Sequence, residues 1–226
     1  MRCVVDLHCH SSASFDSKLE PAELVAAALA AGLTHLAITD HETLDGALRA
    51  RELAPDGLTI IVGEEIRTTD GDMIGLFLRK PIPSGQSPSA TSAAIRKQRG
   101  IVGLPHGFDP YRPSIGVDLV LPDALRELGQ LVDYVEIHNG RVADPRANER
   151  AAEFAHLVGL PGVAASDTHT LPEVGTGAVV LHGPIKSAAS LRKALAHPQG
   201  LIVKEARDAE SRRSRRRFTR LFVKRG

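Results

Sequence analysis

The chain has 226 residues, a formal net charge of +1 and 42% hydrophobic residues, within the range of one large α/β domain. Its two cysteines, Cys3 and Cys9, lie too far apart along one extended strand for an ordinary disulfide, no apolar run approaches membrane-spanning length, and "MRCVVDLHCH" offers no signal-peptide core, so a cytoplasmic protein is expected. The charge is uneven: residues 204–226 carry a local +7 and residues 1–203 about −6, a body suited to cations and a tail suited to anions.

Short apolar runs alternate with helical patterns from the start. "CVVDLH" (3–8) precedes "PAELVAAALAAG" (21–32), where Pro21 fits a first helical turn and Gly32 a C-terminal stop. "LTHLAITDH" (33–41) precedes the helical "LDGALRARELA" (44–54). "LTIIVGEEI" (58–66) and "DMIGLFL" (72–78) flank the turn at Asp70-Gly71 and could pair as a hairpin. The helix in "SATSAAIRKQRG" (89–100) leads to "IVGLPH" (101–106), and that in "DALRELGQLVD" (123–133) to "YVEIHNG" (134–140). The longest helical pattern, "PRANERAAEFAHLVG" (145–159), leads to "GVAASDTH" (162–169). "GAVVLHG" (177–183), the helix in "SAASLRKALAH" (187–197) and "GLIVKEA" (200–206) close the globular part, placed at residues 1–203. The alternation predicts a parallel sheet closed into an α/β barrel. The alternative is an open doubly wound sheet, weakened because no GxGxxG or GxxxxGK[ST] loop follows any strand.

Strand after strand ends in ionisable residues: His8 and His10, Asp40-His41, Glu64-Glu65, His106, His138, then Asp167 with His169. In an extended strand His8 and His10 share a face that Cys9 does not. In a parallel barrel such ends converge on one rim. Imidazoles and carboxylates packed there form a ligand set for zinc, manganese or iron, and cations relieve the desolvation and repulsion the cluster would otherwise carry. The candidates exceed what one ion needs, which points to a multinuclear site for displacement at phosphorus.

"DLHCHS", "AITDHET", "GEEI", "LPHGFDPYR", "VEIHNGR" and "ASDTHT" resemble, in order, the motifs of the PHP family, named for polymerase and histidinol phosphatase; the match runs from about Val4 to Thr170. The resemblance implies a distorted seven-stranded, TIM-like (β/α) barrel with two to three divalent metals (Zn, Mn or Fe) that hydrolyses phosphate esters. Carried over by position, His8, His10, Glu65 and Asp167 would serve a first metal. Glu65 would bridge to a second held by His106 and His138, and Asp16, His41 and His169 would hold a third. Asp16 stands where relatives have His or Asp. Gly-x-Glu, "GEE" here, favours Glu65 over Glu64, a choice strand parity leaves open. Met73 lies where many relatives have a nearby His and is not counted as a ligand.

The expected nucleophile is a hydroxide between the metals, with Asp167, Glu65 and His169 as the residues central to catalysis. Arg112 and Arg141 could take a free phosphate oxygen through their planar donor fork, and Asp40 and Glu64 could accept N–H bonds from ligand histidines. The substrate expected is a small phosphomonoester or a nucleotide. The alternatives are a 5'-3' exonuclease on short oligonucleotides, for which the 4% aromatic content leaves few stacking platforms, and a non-catalytic metal-binding module. His35, His156, His182 and His197 read as structural and Cys9 as packed. The tail 204–226 reads as a disordered basic extension, a basic helix with Phe218, Leu221 and Phe222 on one face for an anionic surface or partner, or a holder of a polyanionic substrate.

Overall fold

The structure is a computed structural model and describes residues 1–205; the expected tail from residue 206 onward lies outside the described residues. Each strand is built on a short apolar run, and most helices open on a proline or a capping side chain. Pro occupies the first turn of the helices α1 (Pro21–Ala30), α3 (Pro88–Lys97), α4 (Pro122–Leu131) and α5 (Pro145–Val158). Ser87 caps α3, Asp144 caps α5, and Ser187 caps α6 (Ala188–Leu195). The shorter α2 spans Asp45–Leu53, and α5 ends at Gly159, whose φ of +69° provides the left-handed stop.

The strands are β1 (Arg2–Asp6), β2 (His35–Ile38), β3 (Thr59–Arg67), β4 (Asp72–Leu76), β5 (Ile101–Leu104), β6 (Tyr134–Asn139), β7 (Gly162–Ala165), β8 (Gly177–His182) and β9 (Gly200–Val203). They form one sheet in the order β7-β6-β5-β4-β3-β2-β1-β8-β9. Beyond β1 and β7, Cys9 bridges Thr168, the His10 N–H donates to Thr168 O (2.9 Å), and the Asp167 N–H donates to His8 O (3.0 Å). These bonds draw the first and seventh strands together, so the sheet is a nearly closed, seven-stranded TIM-like barrel with β8 and β9 laid along β1.

The alternation is not wholly parallel. β3 and β4 form the hairpin read from the sequence, so β4 runs against both neighbours, and β8 and β9 are antiparallel as well. The consequence is local: β4 begins, rather than ends, at the rim where β3 ends.

Two apolar layers hold the barrel. Cys3, Val5, Leu7, Ala37, Ile61, Ile74, Ile101, Tyr134 and Val163 fill the interior, while Val4, Cys9, Leu24, Ile38, Ile95 and Phe154 belong to the layer between strands and helices. The β1 ladder ends at Asp6, so the two-residue alternation stops there. Leu7 still packs inward, His8 and His10 follow at the rim, and Cys9 returns to the outer layer. Both cysteines are free and buried. No helix among the described residues is long and apolar enough to cross a membrane.

Candidate metal centre

Glu65 lies near the end of β3, and its carboxylate is the hub of the rim. Glu65 Oε2 is 3.1 Å from both His8 Nε2 and His10 Nε2, and Oε1 is 2.9 Å from His106 Nε2. Asp167 Oδ1 stands 3.5 Å from both His8 Nε2 and His10 Nε2. Asp16 Oδ2 lies 2.8 Å from His169 Nε2 and 3.3 Å from His41 Nε2. Donors held about 2.0–2.2 Å from one ion stand roughly 3–3.5 Å apart, so these spacings fit metal coordination. Four sets of donors converge: His8, His10 and Glu65; His10, Asp16 and His41; His10, Asp167 and His169; and Glu65, Asp72 and His106.

Eight of the residues singled out from the sequence are therefore brought together: His8, His10, Asp16, His41, Glu65, His106, Asp167 and His169. His138 belongs to no such set among the described residues. The β6–β7 pairing shifts between Glu136 and His138, and that irregularity leaves Glu136 and Asn139 buried at the site while His138 is half-buried beside it. In its stead the set around His106 contains Asp72, the first residue of β4. Asp72 is paired with Arg67 across the hairpin. A reading that looks only for strand ends passes over it, because an antiparallel strand brings its beginning to this rim.

The histidines are oriented from behind. His8 Nδ1–H donates to Glu136 Oε1 (2.8 Å), and His169 Nδ1–H donates to Asp167 O (2.9 Å), which leaves Nε2 of each facing the cluster. The expected partners of these rings sit elsewhere. Asp40 accepts from the N–H and the hydroxyl of Ser11, both at 2.6 Å, and Glu64 accepts from the Ile82 N–H at 2.8 Å. The Ser11–Asp40 clamp lies directly against Gly46 of α2, where a Cβ would collide with both side chains. His106 (φ +30°) and Asp167 (φ +53°) hold left-handed backbone conformations that non-glycine residues rarely adopt, the kind of strain that marks functional sites.

The charges are strongly coupled. Burial alone would lower the His8 pKa, yet the carboxylates of Asp167, Glu136 and Glu65 carry it well above its ordinary value. His10 is pushed up to about 9, burial being outweighed by hydrogen bonds to Asp167 and Glu65. Burial opposes ionisation of Glu65 and Asp167, but the histidines, with Arg112 beside Asp167, hold both well below the usual carboxylate range. Asp16 is likewise held low against partial burial by His169 and His41. Buried carboxylates balanced by protonated imidazoles are a donor set in which a cation can take the place of protons.

A cavity of about 220 Å³ opens onto this cluster, and both arginines singled out from the sequence line it. Arg112 pairs with Asp167 and lies 3.7 Å from Asp109 Oδ2, while Arg141 Nη1 donates to Glu173 at 3.4 Å. Phe15 stands at the mouth, 85% exposed, its ring stacked on His41 at 4.9 Å. Elsewhere His35 is buried with Nε2–H donating to Ile185 O (3.0 Å), a packing role at the far end of the barrel.

Comparison with known proteins agrees with this architecture. Residues 6–112 match the model of the PHP domain, and residues 145–198 match one described as PHP-associated. An uncharacterised protein of Methanocaldococcus jannaschii is 34% identical over 157 residues, 65% of this chain and 87% of the relative. A 5'-3' exoribonuclease of Haemophilus influenzae is 36% identical over 117 residues, 46% of this chain and 42% of that protein. Among solved structures, a two-domain protein of Bacteroides vulgatus containing a predicted PHP-like metal-dependent phosphoesterase superposes with a TM-score of 0.70 at 21% identity, over 87% of this chain and 63% of that one.

Proposed function

The chain belongs to the PHP family, and on that premise we propose that it is a metal-dependent phosphoesterase acting on a small phosphomonoester or a nucleotide. The supporting observation is the convergence of four donor sets on Glu65 and His10 beside a cavity lined by two arginines. Residues 1–203 are proposed as the catalytic barrel and 204–226 as a basic extension.

In this reading His8, His10, Glu65 and Asp167 would hold a first divalent ion; Glu65, His106 and Asp72 would hold a second; and Asp16, His41 and His169 a third. Asp72 takes the place first given to His138. Such ions supply Lewis-acid activation of water at neutral pH and neutralise phosphate oxygens. The protein's own part is positional. Glu136 and the Asp167 carbonyl fix two imidazole tautomers, and Asn139 Nδ2 donates to Asp167 Oδ2 at 3.0 Å, holding that carboxylate toward the cluster. Asp167 and Glu65 stay ionised and accept only. Arg112 and Arg141 bind and orient the phosphate through N–H groups their carboxylate partners leave unused.

Phe15 favours a nucleotide over an aliphatic phosphate, because an exposed ring at the mouth offers its face to a base. The same ring supports a second reading, removal of nucleotides from the 5' end of a short oligonucleotide. The test is release of inorganic phosphate from nucleotides, sugar phosphates and histidinol phosphate with added Mn²⁺ or Zn²⁺, beside Asp167→Ala. Release that requires both metal and Asp167 is expected. No release from this panel or from oligonucleotides, with metal bound, would overturn the reading in favour of a non-catalytic module.

A further inference from the structure

The barrel end opposite the metal centre carries a second cavity, of about 600 Å³. Phe77 follows β4 and Gly100 precedes β5, which places it where the parallel strands begin. Arg79, Arg96, Arg99, Lys186 and Arg192 line it. Asp133 answers part of that charge, 3.3 Å from Arg192 and 3.9 Å from Arg96. Arg79, Arg99 and Lys186 have no carboxylate within ion-pair distance among the described residues. They come from three separate elements, so their clustering is a product of the fold and not of one basic stretch of sequence. Like charges gathered in a concave site raise the energy of the empty protein and favour an anion there.

The backbone around these cations is fixed. Gln98 Oε1 accepts from the N–H groups of Arg79 and Lys80 at 2.9 and 3.0 Å, and Gln98 Nε2 donates to Lys80 O at 2.8 Å. Arg99 closes α3 in the left-handed region, φ +63°, with the Gly100 N–H donating to Ile95 O at 3.1 Å. That position favours glycine, yet glycine stands one residue later. Five non-glycine residues have positive φ among the described residues: Glu42, His106 and Asp167 flank the metal centre, and Phe77 and Arg99 line this cavity. Ala188 and Ala189, in the first turn of α6 behind the Ser187 cap, complete the lining on that side.

We propose that this cavity is a second ligand site, for a compact anion of two or more linked phosphates held by Arg79, Arg99 and Lys186. More than one phosphate follows from charge presented by three segments of the chain, and small size from a volume of about 600 Å³, in the range of small-ligand sites. The half-buried Phe77 ring gives a nucleotide an additional contact that inorganic polyphosphate lacks. The proposal does not depend on hydrolysis at the other end.

Isothermal titration of metal-loaded protein with the magnesium complexes of ATP and of inorganic triphosphate tests it, in the wild type and in Asp167→Ala. Saturable binding of at least one of them is expected to persist in Asp167→Ala and to weaken tenfold or more in Arg99→Gly/Lys186→Ala. Tighter binding of ATP than of triphosphate assigns the site to nucleotides, and equal binding assigns it to the phosphates alone. Arg99→Gly by itself is expected to weaken binding while raising Tm, since glycine suits that backbone. Binding lost in Asp167→Ala but kept in the double variant would overturn the proposal, because the phosphates would then lie on the metal centre. So would no binding of either compound, or an Arg99→Gly variant that lowers Tm and leaves binding unchanged.

Discussion

His8 and Glu136 are both fully buried, and the Nδ1–H of one donates to Oε1 of the other at 2.8 Å. Glu136 Oε2 also accepts from the His106 N–H (3.1 Å) and from Asn139 Nδ2–H (2.8 Å), so one carboxylate ties together the ends of β1, β5 and β6. It fixes the tautomer that turns His8 Nε2 toward Glu65. Glu136→Gln replaces a charged acceptor by a neutral one, and should weaken metal affinity about 10–100-fold. Competition against a chelator reads this directly; unchanged affinity would remove Glu136 from the centre's support.

Metal uptake should release protons. His10 is pushed up to about 9, and His8 also lies well above its ordinary value, so below pH 9 the metal-free protein carries protons where a cation would bind. Apparent affinity should therefore rise with pH, by about tenfold per unit for each proton displaced, with the His10 contribution levelling off above about pH 9. Titration at pH 7 in buffers of different protonation enthalpy counts the protons. An affinity flat between pH 6 and 8 would contradict the coupling.

The adjacent pair Glu64 and Glu65 shows how far sequence could reach. Alternation along β3 requires opposite faces but does not say which face is the rim; the family pattern chose Glu65, whose carboxylate meets His8, His10 and His106. The order of elements, the β3–β4 hairpin and the ionisable strand ends were legible because apolar period and turn chemistry are local, whereas Asp16 came from the family resemblance alone. The places of His138 and Asp72 were not. The first depends on a pairing shift in β6 and the second on the direction of β4, and both are set by neighbouring strands rather than by local sequence. The basic cavity was hidden for the same reason, its cations being scattered along the chain from Arg79 to Arg192.

Glu64 makes a stability prediction. It is buried with Oε1 unpartnered, and burial raises its pKa to about 7 despite the bond from Ile82. A carboxyl raised on folding binds more protons in the folded state between its unfolded value of 4.5 and about 7. Stability therefore falls as pH rises through that window and is flat above it. Glu64→Gln removes this slope and should gain on the order of 3 kcal/mol relative to wild type between pH 4.5 and 7.5. Denaturant unfolding of both proteins across that range provides the comparison, and parallel pH profiles would count against a buried, protonated Glu64.

Asp72 and His138 give opposite expectations for metal content. Asp72 belongs with Glu65 and His106 in one donor set, and its own pKa is raised by burial and by the Glu65 charge while Arg67 opposes the rise. A cation between Asp72 and Glu65 would relieve the repulsion that Arg67 now answers in part. Asp72→Ala should lower the bound metal by about one equivalent and lose hydrolysis, with little change in Tm because Arg67 is half-exposed and stays solvated. His138→Ala should keep the full complement. Elemental analysis after dialysis separates the two. Loss of metal in His138→Ala with retention in Asp72→Ala would return the second ion to the β6 histidine and reduce Asp72 to a partner of Arg67.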